Sequence, residues 1–288
     1  MMEPIINDPI DVTAKSGGLE PGLFGYIVLD EYKDWKVWLS EEKSGHYYHI
    51  QQPGVSIPPL YPSVTTVLSV IDKSQRLMDW AGTMAARYVA NQVGKADATP
   101  DKATLDQWVK EAMKAADEFK DKAAQAGTDA HGAVELALQG LPYREEFKNE
   151  VAAALQYLDH YHLSPFAAEV VTFHPKLHSP GSVDLIAETP TGELVIVDWK
   201  RSRKLYDTHR YQVAAYAANV QAMTGRDVVA CYIFRLPQTD SQLDPEASKN
   251  VISFGDWKPD WEVFKKAQAL YYTLHLDRLK KMQLLGAV

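Results

Sequence analysis

The chain has 288 residues, of which 46% are hydrophobic, and its formal net charge at pH 7 is −8. This length can bury one large core or two modest ones, and the acidic total argues against indiscriminate binding of duplex DNA by a broadly basic surface. A single cysteine excludes an internal disulfide and a four-cysteine iron–sulfur cluster, and the absence of a membrane-length apolar run or a secretory signal pattern predicts a cytoplasmic protein without a membrane partner.

The amino-terminal part predicts a small sheet followed by two helices. Residues 1–22 are expected to form a loose lead-in, and residues 24–50 alternate aromatic with polar side chains, which indicates a β-meander. The proline-rich segment 53–62 places a boundary there, so a β-rich extension is predicted over 1–60. Its aromatic residues are expected to cover the core, with stacking on unpaired bases as the alternative. Helical patterns follow at 74–92 and 104–126.

A separate helix is predicted to open at the sequence GTDAH, residues 127–131. Thr128 is a suitable N-cap, which would place His131 in the first helical turn and Glu135 on the same face four residues later. A lone histidine at such a position is usually satisfied by solvent or by a neighbouring acid. A helix over 143–162 and an apolar strand over 166–173 come next, and the strand carries Glu169, a costly residue unless it is paired, metal-bound or at an edge.

Two strands rich in valine and isoleucine, Gly181–Glu188 and Glu193–Lys200, surround a turn sequence and predict a β-hairpin. A three-residue loop would pair Asp184 with Asp198, whereas a two-residue turn would shift the pairing by one. Facing carboxylates repel each other unless a cation lies between them, and their oxygens are ligands that Mg²⁺ and Mn²⁺ take. The pattern fits either a metal site that generates hydroxide beside Lys200, on the face of Asp198, or a hairpin with a solvated polar face.

Basic residues follow the second strand closely. Five of them fall within eleven residues and are expected to contact a phosphate backbone: Lys200, Arg201, Arg203, Lys204 and Arg210. A helix over 206–224 carries Gln212 and Tyr216 on one face, and an apolar strand is predicted over 227–236. A polar loop over 240–250 and an amphipathic helix up to about Met282 complete the prediction, which makes 237–288 a carboxy-terminal addition.

This ordered set resembles the PD-(D/E)XK nuclease superfamily, in its RecB-like and phage-exonuclease branch. That branch has a GTxxH…E helix, a strand glutamate, a GxxD strand, a DxK strand and a QxxxY helix. The matching positions are 127–131 with Glu135, Glu169, 181–184, 198–200 and 212–216. Upstream, 62–68 followed by 77–80 is similar to the opening of the mitochondrial genome maintenance exonuclease family and its phage relatives. The resemblance covers about Pro62 to Arg235.

The resemblance implies an α/β, restriction-endonuclease-like core over 61–236, with a mixed sheet flanked by helices. It implies one or two Mg²⁺ or Mn²⁺ ions and a DNA substrate, with ends or single strands favoured, in phage or bacterial recombination, repair or replication. The implied metal ligands are His131, Asp184, Asp198 and the Trp199 carbonyl, with Glu169 as a less secure ligand. Lys200 is the implied catalytic lysine, acting with Asp184 and Asp198, and Gln212 and Tyr216 support the site or the DNA.

Exonuclease action is expected because the relatives that look most similar degrade DNA from its ends. A structure-specific endonuclease on the same site is the first alternative. A catalytically silent nucleic-acid-binding protein of the same fold is the second, although loss of the lysine or an acid would be its mark and this chain retains both. No feature of the sequence indicates a particular protein partner.

Overall fold

The computed structural model describes residues 32–281, apart from 33, 43–44, 57, 72–73, 239–243 and 246. The predicted lead-in and the first part of the predicted meander lie outside the described residues. The chain divides into two compact units, one formed by residues up to Val70 together with those from His131 onward, the other by Ile71–Ala130. Domain boundaries near residues 60 and 236 stay a prediction. Within the described ranges, no helix is both long and apolar enough to cross a membrane.

The helices and strands of the described residues follow the order β1 (Lys36–Glu42), β2 (Gly45–Gln51), β3 (Leu60–Pro62), α1 (Val64–Val67), a 3₁₀ turn (Leu68–Val70), α2 (Ser74–Lys95), α3 (Lys102–Leu138), a 3₁₀ turn (Glu145–Phe147), α4 (Lys148–His160), β4 (Ser164–Thr172), β5 (Gly181–Glu188), β6 (Leu194–Lys200), α5 (Asp207–Thr224), β7 (Val228–Arg235), β8 (Val251–Phe254) and α6 (Lys258–Lys281).

A mixed five-stranded sheet in the order β4-β5-β6-β7-β8 forms the centre of the larger unit. Among the strands of the described residues, only β6 and β7 run parallel, as expected for strands joined through the crossover helix α5. On β7, Cys231 contacts the Val213 carbonyl of α5, whereas Phe234 stacks on Tyr157 of α4 at 4.5 Å between ring centroids. Because these two β7 side chains point to opposite faces, α5 and α4 cover opposite faces of the sheet. The predicted α/β fold with a mixed sheet flanked by helices is confirmed.

A second, antiparallel sheet of β1, β2 and β3 forms the predicted β-rich addition. One face of this sheet carries Val37, Tyr48 and Ile50, which pack in one core cluster with Phe173 and Met223. This face therefore packs against the core of the larger unit, as the sequence predicted for the aromatic residues of the region. The strand β8, which closes the edge of the central sheet, was not predicted.

Helix α3 corrects the prediction of a separate helix beginning at residue 127. It runs without a break from Lys102 to Leu138, and the Thr128 hydroxyl donates to the Ala124 carbonyl within it instead of capping an end. A glycine inside a helix costs only about 1 kcal/mol relative to alanine, too little at Gly127 to end a helix that is rich in alanine on both sides. His131 therefore lies in the body of a helix and not in a first turn.

The smaller unit consists mainly of α2 and the part of α3 that lies before His131. Between these helices the Tyr88 hydroxyl donates a hydrogen bond to Glu111 at 2.9 Å. Small apolar side chains, such as Ala86 and Ala112, line an open groove of about 500 Å³ between the two helices.

Candidate active site

The hairpin of β5 and β6 adopts one of the two registers that the sequence left open. Leu185 pairs with Val197 and Glu188 with Leu194, and the Thr189 N–H donates to the Glu193 carbonyl, which leaves the three-residue loop 190–192. Continued by one residue, this register sets Asp184 opposite Asp198. The predicted face is also confirmed, because the Lys200 ammonium lies 2.8 Å from Asp198 Oδ1 and 2.6 Å from Asp198 Oδ2.

Asp184 is the point where three elements meet. Its Oδ2 accepts a hydrogen bond from the Trp199 backbone N–H at 2.8 Å and lies 3.4 Å from His131 Nδ1 of α3. Both side chains are largely buried, with 12% of Asp184 and 23% of His131 exposed. The hydrogen bond from the Trp199 N–H fixes the orientation of the Asp184 carboxylate, which can therefore bind a ligand together with His131.

Glu169 enters this cluster from β4 through an unusual backbone conformation. Its φ of 49° lies in the left-handed region, which a residue with a side chain rarely adopts within a strand. Ser182 donates a hydrogen bond to its Oε2 at 3.2 Å. One ligand atom each of His131, Glu169 and Asp184 lies within 4.8 Å of the others. Strained residues of this kind cluster at functional sites, where the surroundings hold them in place.

The protonation of these groups follows from burial and from their neighbours' charges. Burial raises the pKa of Glu169 to about 8, with the Asp184 charge adding to the shift. Burial also raises the pKa of Asp198 to about 6, in spite of the opposing charge of Lys200. For Asp184, burial is outweighed by His131 and Lys200, so its pKa falls below the ordinary value. The cluster therefore holds more carboxylates than its own cations can neutralise.

Lys200 and His131 are the cationic groups of this cluster, and for them burial favours the neutral form while the neighbouring carboxylates favour the charged form. Burial alone would lower the pKa of Lys200, but Asp198 and Asp184 outweigh burial and raise it, so the ammonium stays charged. Likewise, burial would lower the pKa of His131, but the charge of Asp184 raises it above its ordinary value. A charged lysine beside crowded carboxylates can stabilise negative charge that develops on a substrate.

The family model of the PD-(D/E)XK nuclease superfamily matches residues 78–283, which is more than half of the chain. The chain belongs to the PD-(D/E)XK nuclease superfamily. No curated protein matches it. Membership implies a metal-dependent nuclease, which hydrolyses phosphodiester bonds of nucleic acid. The matched range contains His131, Glu169, Asp184, Asp198 and Lys200.

The donor set of this superfamily member fits a hard divalent cation. Two carboxylates and one imidazole converge within a few ångströms, and such oxygen-rich sets suit Mg²⁺ or Mn²⁺. In addition, Asp198 is almost fully buried, and the Lys200 ammonium contacts both of its carboxylate oxygens. The carboxylates of Glu169, Asp184 and Asp198 outnumber the two cationic groups of the cluster, and a bound cation would stabilise this excess of negative charge.

Gln212 and Tyr216 of α5 lie behind the acidic cluster. Gln212 donates a hydrogen bond to the Tyr216 hydroxyl at 3.0 Å. Burial raises the pKa of Tyr216 well above its ordinary value, and the charge of Asp198 adds to the shift. A Cβ atom on Gly181 would lie 2.6 Å from the Tyr216 ring, so the glycine of the GxxD strand is required for this close approach. The supporting role that the resemblance implies for Gln212 and Tyr216 stays a prediction.

The basic residues after β6 divide into paired and exposed groups. Arg201 donates from Nε to Glu150 at 2.9 Å, and Arg210 forms a two-bond pair with Asp260 while it lies over the Phe254 ring. Two further cations of the predicted cluster, Arg203 and Lys204, are exposed. The two paired guanidinium groups thus stabilise the fold, which leaves the exposed pair better suited to contact phosphate.

Sequence reasoning missed Glu150, which is 5% exposed on α4. A signal was available: Glu150 occupies the same helical face as Ala154, Tyr157 and Leu158, which are buried. A carboxylate in an apolar stripe requires a buried partner. The partner, Arg201, is 51 residues away in the chain and could not be identified from spacing.

Proposed function

We propose that this chain is a divalent-metal-dependent DNA exonuclease. The observation that carries the proposal is the convergence of His131, Glu169 and Asp184 beside the Asp198–Lys200 pair. Crowded carboxylates with one charged lysine form a site for a metal ion and a phosphate diester. The retained lysine and acids argue against a catalytically silent member of the superfamily.

The proposed roles follow the chemistry of each side chain. His131, Asp184 and Asp198 would hold one or two Mg²⁺ or Mn²⁺ ions, with the Trp199 carbonyl and Glu169 as further ligands. A divalent cation supplies the charge that polarises a phosphoryl oxygen and activates water for in-line attack. The ammonium of Lys200, kept protonated by its acidic neighbours, stabilises negative charge on the phosphorus centre as the diester is cleaved.

The surroundings of the site supply positioning and substrate contacts. Gln212 and Tyr216 support the acidic cluster from α5 through their mutual hydrogen bond. Arg203 and Lys204, at the end of the strand that carries Lys200, contact the phosphate backbone. Arg201 and Arg210 act indirectly, by fixing the ends of this segment through their ion pairs.

The preference for ends rests on the resemblance of the motif set to the RecB-like and phage-exonuclease branch and to the mitochondrial genome maintenance exonuclease. The acidic net charge of −8 also fits a local grip on DNA ends or single strands better than an extended duplex interface. On this view the enzyme acts in the cytoplasm, in DNA recombination, repair or replication of a phage or bacterium.

Digestion of one labelled sequence, as a closed single-stranded circle and as its linear form, tests the proposal. Mg²⁺, Mn²⁺ and a chelator provide the three conditions. We expect progressive shortening of the linear DNA with either ion, none with the chelator, and an intact circle. Efficient cutting of the circle would replace the exonuclease with an endonuclease at the same site, and binding without cutting in every condition would favour a silent binding protein.

A further inference from the structure

A buried polar network closes the end of the β4–β5 hairpin. Asn219 of α5 is fully buried, and its Nδ2 donates to Thr172 Oγ1 at 3.2 Å and to the Ser179 carbonyl at 2.7 Å. Its Oδ1 accepts from the Ser179 hydroxyl at 3.2 Å. The Thr172 hydroxyl in turn donates to the Gly181 carbonyl at 3.1 Å. One side chain therefore connects the end of β4, the connecting loop and the beginning of β5.

The position of this network matters because Thr172 and Gly181 form the last pair of the β4–β5 ladder. Glu169 lies three residues before that pair and Asp184 three residues after it. The strand pairs on either side of Glu169 are Ala168 with Leu185 and Val170 with Val183, and this register sets Glu169 opposite Asp184. A shift by one residue would send one of these carboxylates to the other face of the sheet.

The local structure of the β4–β5 hairpin does little to prevent such a shift in register. An irregularity already occurs in β4 between Pro165 and Ala167, and Glu169 breaks the extended conformation nearby. The loop that joins the strands has eight residues, too many for a tight turn to dictate the register. A fully satisfied buried polar group tolerates few alternative arrangements, because a shift would leave its partners unpaired in the interior.

We propose that Asn219 is a positioning residue, which fixes the register of β4 against β5 so that Glu169 and Asp184 meet in the metal site. The proposal rests on the proposed function insofar as those two carboxylates bind the ion. Tyr216, one turn earlier on α5, acts in the same direction, because its ring packs against Gly181. Helix α5 thus contacts the β4–β5 hairpin through both Asn219 and Tyr216, and this hairpin carries Glu169 and Asp184.

The test compares variants of the full-length protein by two measurements. Asn219→Leu keeps the branched shape with the same number of side-chain heavy atoms and removes all three hydrogen bonds of the side chain. Thr172→Val is the milder variant, because it removes only the hydroxyl that links Asn219 to the Gly181 carbonyl. Val213→Ala is the matched control, a buried truncation on the same helix that removes none of these hydrogen bonds.

The first measurement is hydrogen–deuterium exchange of the amides at 181–184 in metal-free protein, and the second is Mn²⁺ affinity by electron paramagnetic resonance. We expect Asn219→Leu to accelerate the exchange and to weaken Mn²⁺ binding by about tenfold or more, as substitutions behind metal ligands do. Thr172→Val should act in the same direction by a smaller factor. Val213→Ala should leave both the exchange rate and the Mn²⁺ affinity unchanged, even if it lowers the melting temperature by as much as Asn219→Leu does.

Two results would overturn the inference: unchanged exchange at 181–184 in the Asn219 and Thr172 variants, or equal effects of all three variants on exchange and Mn²⁺ affinity. If Asn219→Leu does not fold, Thr172→Val decides between the outcomes. Failure of the wild-type protein to bind Mn²⁺ would contradict the proposed function instead, and the exchange measurement would still decide the role of Asn219.

Discussion

Replacement of Glu169 by glutamine should stabilise the metal-free protein at neutral pH while abolishing much of its response to metal. Glutamine has the same shape, can accept the Ser182 hydrogen bond, and bears the same backbone strain at a φ of 49°. The substitution therefore removes one charge and leaves the other features of the site in place.

The sign and size of the effect follow from the pKa of Glu169, which burial raises from 4.5 to about 8. Between these values the folded protein keeps a proton that the unfolded chain has lost, so raising the pH favours unfolding. Within that window the free energy of unfolding falls by about 1.4 kcal/mol per pH unit. From about pH 5.5 to about pH 7.5, Glu169 should thus cost the wild type about 2 to 3 kcal/mol that the variant retains.

Chemical denaturation of both proteins across this pH range, without metal and with saturating Mn²⁺, measures the effect. The variant should be the more stable protein at about pH 7.5 without metal, because the cost of ionising a buried carboxylate is gone. Mn²⁺ should stabilise the wild type more than the variant, because the cation favours the ionised glutamate. Parallel pH profiles for the two proteins, with equal stabilisation by Mn²⁺, would refute the reasoning.

Further predictions concern the other groups of the site. Lys200→Ala should lose turnover and still bind DNA in a fluorescence anisotropy titration; equal losses of both would make this lysine a phosphate anchor. His131→Ala should weaken Mn²⁺ affinity by about tenfold or more, and Mn²⁺ should support the wild type at least as well as Mg²⁺; unchanged Mn²⁺ affinity would contradict a role as metal ligand. The double substitution Arg203→Ala with Lys204→Ala should weaken DNA binding. It should also reduce the slope of the logarithm of the binding constant against the logarithm of the salt concentration by about 0.7 to 0.9 for each lost phosphate contact, and an unchanged slope would contradict phosphate contact. Arg210→Ala should instead lower stability by about 1 to 3 kcal/mol, because it leaves the mostly buried carboxylate of Asp260 unpaired, and an unchanged melting temperature would contradict this.

Local sequence signals predicted the part of the site that lies on one hairpin. The valine- and isoleucine-rich runs around a turn sequence predicted the hairpin, and alternation along β6 placed Asp198 and Lys200 on one face, whereas the register depended on a loop length that the sequence left open. The same kind of reasoning failed at Gly127, because the helix propensity of the flanking alanines outweighs the cost of one glycine. It also missed β8, whose four residues are too few to show a period.

Long-range pairings were beyond the reach of sequence patterns. The partners of Arg201 and Arg210 are 51 and 50 residues away, so two cations that looked available for DNA are occupied in ion pairs. The strained conformation of Glu169 likewise has no signature in residue types. The hydrogen-bond network of Asn219 depends on tertiary packing between α5 and the hairpin, and no spacing rule indicates it.

The most direct test of a metal-dependent nuclease at this site is digestion of labelled linear DNA by Asp198→Asn. This variant keeps the shape of the side chain and removes its charge, and Glu188→Gln is the matched control, another acid of the same hairpin that forms an ion pair, with Arg226. In Mg²⁺ or Mn²⁺ the wild type and Glu188→Gln should shorten the DNA, whereas Asp198→Asn should fold and bind DNA without cleaving it. Substantial cleavage by Asp198→Asn under these conditions would contradict the assignment of the site.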